Sequence, residues 1–102
     1  MNSKTKIYFI ENSYDYNGND LNSEKIGGSE KTLINITNAL ATDKNFSIKV
    51  FNNTSNSNLI NNVYWSNIDQ INTSDKPNYV IAMSDANLFE KLSSDKNFLW
   101  SH

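Results

Sequence analysis

The chain has no cysteine among its 102 residues. That excludes disulfide bonding and thiolate metal sites. It has no long hydrophobic run either: Ile7–Ile10, after the polar Met1–Lys6, is too short for a signal h-region or a membrane span. No basic cluster offsets the net charge of −2. Nucleic acid and anionic membrane are therefore excluded as main partners. Hydrophobic content is 37 %, below the usual level of about 45–50 %, and asparagine spread along the whole chain fills the deficit. The apolar runs between the asparagine clusters stay intact, so a biased genome composition explains this better than low-complexity disorder. The N-x-S/T sequons, such as Asn35-Ile36-Thr37, arise from the same abundance. The expectation is one small cytoplasmic domain without a transmembrane segment.

What the chain does have is alternation. Lys6–Glu11 reads as a first buried strand, with Ile7, Tyr8, Phe9 and Ile10 contiguous. Asn12 to Ile26 is a polar loop of about 15 residues, a length usually tied to function or disorder. Gly27-Gly28-Ser29-Glu30 then opens the only long amphipathic helix, with Ser29 as the expected N-cap and Glu30 in the first turn. Leu33, Ile34, Ile36, Leu40 and Ala41 are its expected inner face, and Thr42-Asp43-Lys44-Asn45 ends it. Phe46–Phe51 reads as a second strand, Asn52–Asn58 as turn, and Val63-Tyr64-Trp65 as a short third strand. Tyr79–Met83 comes next as a fourth strand, after Ser74-Asp75-Lys76-Pro77-Asn78. Asp85–Ser94 reads as a short helix facing inward through Leu88, Phe89 and Leu92, and Asn97–Trp100 as a fifth strand.

Apolar runs alternating with helical segments predict an α/β fold: a doubly wound, mostly parallel, Rossmann-like sheet with crossovers on both faces. The last strand has no covering helix after it, so residues 1–102 read as a single partial domain. Exposed Phe98, Leu99 and Trp100 on that strand would invite self-association. Ligands of such sheets bind beyond the carboxyl ends of the strands, where strand order reverses. Three segments should meet there: Gly27, Gly28 and Ser29; Ser84-Asp85; and Ser101-His102. Paired glycines let a backbone approach a ligand closely, and a helix N-terminus favours anions, so a phosphate cradle is the expected chemistry.

The order of GGSE, the helix KTLINITNALA, the strands FSIKVFN and YVIAMSD, and the ending FLWSH resembles the N-terminal domain of retaining GT-B glycosyltransferases. The nearest group is their large family 4 type. The resemblance implies transfer of a sugar from a nucleotide-diphosphate donor to a sugar or glycoconjugate acceptor, with retention. It implies that Gly27, Gly28 and Ser29 approach the donor diphosphate, and that His102 contacts the transferred sugar as the catalytic-site histidine. Tyr14, Asp15 and Tyr16 fall in the loop that helps shape the acceptor site. No cofactor and no DxD-held metal is implied. The C-terminal nucleotide-binding domain of that family is absent, so the chain alone is expected to be inactive.

Other readings fit the residues less well. Asp15–Asp20 fails as a calcium loop, because its glycine is misplaced and Ile26 stands where a bidentate glutamate is needed. Glu11-Asn12-Ser13 and Trp65-Ser66-Asn67 lack the acids of a phosphoacceptor receiver. The adjacent glycines do not make the G-x-G-x-x-G of a dinucleotide binder. A small non-catalytic α/β interaction or ligand-binding module remains the alternative.

Overall fold

The structure, a computed structural model, describes residues 4–100. It is an α/β fold: one six-stranded, mostly parallel sheet and, among the described residues, one α-helix. In chain order the elements are β1 (Thr5–Ile10), α1 (Gly28–Ala41), β2 (Phe46–Asn52), β3 (Asn58–Ile60), β4 (Val63–Asn67), β5 (Tyr79–Met83) and β6 (Asn97–Trp100). Across the sheet the order is β3-β4-β2-β1-β5-β6, and only β3 runs antiparallel to its neighbour. The chain builds outward from β1 through β2 to β4, then returns to lay β5 on the other side of β1. The reversal of strand order therefore falls between β1 and β5.

β1 is apolar without a break from Ile7 to Ile10 because both of its faces are covered, whereas β2 alternates buried Ile48 and Val50 with half-buried Ser47 and Lys49. One face packs Ile7, Phe9, Ile48, Val50, Val63 and Trp65 under α1, through Leu33 and Ile34. The other buries Tyr8, Ile10, Phe51, Val80 and Ala82 beneath two short 3₁₀ turns, Ile68–Gln70 and Ala86–Glu90. The region expected as a short helix over Asp85–Ser94 is the second of these turns. Asp85 caps it by accepting a 2.9 Å hydrogen bond from Asn87 N. Its inward side chains are Leu88 and Leu92, with Phe89 half-buried.

Three local expectations are corrected. Helix α1 begins at Gly28 with extended Gly27 as its N-cap, which moves Ser29 into the first turn as an exposed residue. Ile36 is exposed on the flank of α1, lining an apolar groove with Leu40, Phe98 and Leu99, and Thr37 takes the inward place because it lies in line with Leu33 and Ile34 at 3.6 residues per turn. The Thr37 hydroxyl donates to the carbonyls of Leu33 and Ile34 at 2.9 and 3.1 Å, so its burial leaves no polar group unpaired. The segment before Val63 is a β-hairpin arm: Asn61 and Asn62 have φ of 52° and 66°, the left-handed pair that a two-residue turn of the favoured hand requires. As expected, Phe98 and Leu99 on edge strand β6 are exposed, at 53 % and 50 %.

Candidate functional site

At the carboxyl ends of β1 and β5, beside the N-terminus of α1, the surface folds into a cleft of about 390 Å³. It lies where strand order reverses. Ser29 and Glu30 enter it from α1, Ser84 and Asp85 from the end of β5, and Asn12 and Ser13 from the end of β1. Glu11 and Met83, at the ends of the two strands, complete the lining. Two of the three expected segments thus meet in one place. The third, Ser101-His102, lies outside the described residues.

Gly27 and Gly28 are both exposed and stand directly before Ser29. Neither is required by the chain's own geometry. Gly27 has φ of −91°, and no glycine among the described residues has positive φ. A Cβ on Gly28 would meet nothing within 4 Å, and one on Gly27 only Glu30 Oε2 at 3.5 Å. Backbone at this junction is therefore open to approach from outside.

The long polar loop is pinned to the sheet. Tyr16 is 1 % exposed and packs edge-on against Trp65, ring centroids 5.8 Å apart. Its hydroxyl donates a 2.7 Å hydrogen bond to Glu11 Oε1. Fully buried Asn52 donates from Nδ2 to the Tyr16 carbonyl at 2.9 Å and accepts from Thr54 N at 3.0 Å. Asp15 accepts from the backbone N–H and the hydroxyl of Ser55, and Asn53 Nδ2 donates to Asn12 Oδ1 and the Ser13 carbonyl. Tyr16 is thus a core residue, Asp15 a loop clasp and Tyr14 an exposed aromatic. None of the three lines the cleft. Glu11, Asn12 and Ser13 do line it, and sequence reasoning missed them. Their signal was position alone: they stand immediately after the apolar run of the first strand, at its carboxyl end.

Electrostatically the cleft is acidic. Glu11, Glu30 and Asp85 line it, and no lysine does. Burial pushes the Glu11 carboxyl above its ordinary value; hydrogen bonds from Ser13 and Tyr16 oppose that, and the charge of Glu30 adds to it. The Tyr16 hydroxyl is pushed up as well, by burial first and by Glu11 second, so it stays a donor at any physiological pH. Asp75, in the loop before β5, collects the cations of the central strands β1 and β2: Lys6 Nζ at 3.2 Å and Lys49 Nζ at 3.6 Å. Among the described residues no group of three or more acidic, histidine or cysteine side chains is arranged to hold a metal ion. None of the helices among those residues is long and apolar enough to cross a membrane.

No protein-family model, no curated protein and no solved structure matches this chain. The cleft itself therefore carries the functional reading.

Proposed function

We propose that the cleft forms one wall of a sugar-transfer site of the retaining GT-B glycosyltransferase kind. One juxtaposition supports the reading. A 14-residue helix, entered through two exposed glycines that packing does not require, starts beside the ends of β1 and β5 at the point where strand order reverses. Backbone N–H groups of that first turn and the positive end of the helix would face the diphosphate of a nucleotide-sugar donor. Their role is to stabilise the leaving group and to position the sugar, without a metal. The hydroxyls and carboxylates of Ser13, Ser29, Ser84 and Glu11 suit sugar hydroxyls. The cations that neutralise the diphosphate would come from a second domain, so this chain by itself is expected to show no transfer. A cytoplasmic setting belongs to the same reading.

The alternative, a non-catalytic ligand-binding module, is favoured by the absence of any lysine from the cleft lining. Titration with a panel of nucleotide-diphosphate sugars, followed by amide NMR, separates the two. Saturable shifts over Gly27–Glu30 and Ser84-Asp85 are expected for the transferase wall. A well-dispersed spectrum that responds to no donor would reject it.

A further inference from the structure

Strand β6 forms one side of the sheet, and among the described residues only β5 pairs with it. The Lys96 and Trp100 carbonyls accept from the N–H groups of Val80 and Ser84. Backbone groups alternate sides along a strand, so Asn97 and Leu99 turn their N–H and C=O away from β5. Natural sheets protect such an edge with lysine, proline, a bulge or an inward-pointing charge. Asn97-Phe98-Leu99-Trp100 has none of these. The Asn97 side chain does not guard it either, being turned back so that its Oδ1 accepts from Ser94 N at 2.8 Å.

The apolar side chains discriminate between occupants of this edge. Register places Phe98 beside Ile81, which packs with the core under α1, and Leu99 beside Ala82, which is buried in the core of the other face. Both Phe98 and Leu99 are about half exposed. A helix laid in the groove between α1 and β6 would cover Phe98 and leave the outward backbone groups in water. A strand beside β6 covers the flanks of both side chains and pairs the edge.

The charges favour a second copy as that strand. A two-fold contact sets each patch against itself, so any charge within it would meet its own sign. β6 and the groove beside it hold no charged residue. In antiparallel pairing about a two-fold at Phe98, Asn97 of each strand faces Leu99 of the other, and these are the residues whose backbone groups point outward. Phe98 then meets its own copy in a non-hydrogen-bonded pair, where side chains lie closest and aromatic pairs are favourable.

We propose that this chain forms a two-fold dimer in which β6 pairs antiparallel with β6 of a second copy, continuing the sheet across both chains. The inference uses only this edge and does not rest on the transferase reading.

Sedimentation equilibrium over a concentration series is the test. The mass is expected to rise with concentration from the 11.6 kDa of one chain to twice that. Phe98→Lys and Phe98→Glu, both at an exposed position, should keep a dispersed amide spectrum and weaken association at least about tenfold, because like charges then face each other across the axis. Mixing the two variants should restore association as a heterodimer. Leu99→Pro removes an outward N–H without touching the ladder to β5, and should weaken association as well. A monomer at every concentration overturns the proposal. So does a dimer that Phe98→Lys and Leu99→Pro leave intact, or a pair of charge variants that stays apart when mixed.

Discussion

The Tyr16 hydroxyl donates to Glu11 Oε1 at 2.7 Å, joining the buried ring of a surface loop to the last carboxylate at the end of β1. This bond fixes the floor of the cleft and explains why so long a polar loop is ordered. Tyr16→Phe keeps the packing on Trp65 and removes the donor. It should cost about 1.5–3 kcal/mol, the usual range for a hydrogen bond to a charged group. Urea denaturation of the variant and the parent at neutral pH measures it.

Glu11 makes stability depend on pH with a definite sign. Its folded-state value lies above the unfolded one, burial being the main cause. The folded chain therefore holds the proton more tightly, and the contribution favours folding below the unfolded glutamate value of about 4.3. It is lost as pH rises through the folded value. Glu11→Gln removes this dependence, so its stability relative to the parent should be higher at pH 7 than at pH 4. An equal difference at both pH values would reject the assignment.

Asp75 acts in the opposite sense. Burial alone would raise its carboxyl, but the Tyr8 hydroxyl at 2.6 Å and the charges of Lys6 and Lys49 outweigh it and hold the group below its ordinary value. The stabilisation is complete above the unfolded aspartate value of about 3.9 and disappears as pH falls through the folded one. Asp75→Asn should therefore be less stable than the parent at pH 7, with the gap closing as the solution is acidified. Thermal unfolding midpoints between pH 2 and pH 7 would show it.

Gly18 is needed for space rather than for its backbone freedom. A Cβ there would come within 2.9 Å of Ile60 Cγ2 and 3.0 Å of Trp65 Nε1, both core side chains. Gly18→Ala should destabilise by about 1–3 kcal/mol, as overpacking does. Gly28→Ala, with open space around its Cβ, should change stability far less. Chemical denaturation of the two variants side by side is the comparison.

Ser84 holds a φ of 63° at the edge of the cleft, fixed by its N–H donating to the Trp100 carbonyl at 2.8 Å. A left-handed conformation costs a residue with a Cβ roughly 1–2 kcal/mol. Ser84→Gly should recover about 1 kcal/mol or less of that, since glycine loses more backbone entropy on folding. A β-branched Ser84→Val should lose stability. Unfolding free energies in urea decide it, and a destabilised Ser84→Gly would show that the hydroxyl matters more than the backbone.

Local sequence determined the elements whose signal is contiguous. Ile7–Ile10 and Tyr79–Met83 announce buried strands because a parallel sheet covered on both faces demands unbroken apolar runs, and Phe46–Phe51 announces one by alternating Ile48 and Val50 with Ser47 and Lys49. The 3.6-residue recurrence of Leu33, Ile34 and Ala41 announces α1. The rule that ligands gather beyond strand carboxyl ends also brings Ser29, Ser84 and Asp85 to one cleft from chain order alone. Tertiary structure decided what depends on partners distant in the chain. β3 is only three residues long and exists because β4 lies beside it, although the Asn61-Asn62 pair was a legible turn signal. Tyr16 looks like a loop aromatic until Trp65, Asn52 and Glu11 close around it. Thr37 rather than Ile36 lies on the buried face because the helix phase is set by the sheet beneath, and a threonine can be buried once backbone carbonyls accept its hydroxyl. The charge of the cleft was hidden for the same reason. Glu11 and Glu30 stand 19 positions apart (30 − 11) in the chain, and only the fold brings both to the lining of the same cleft.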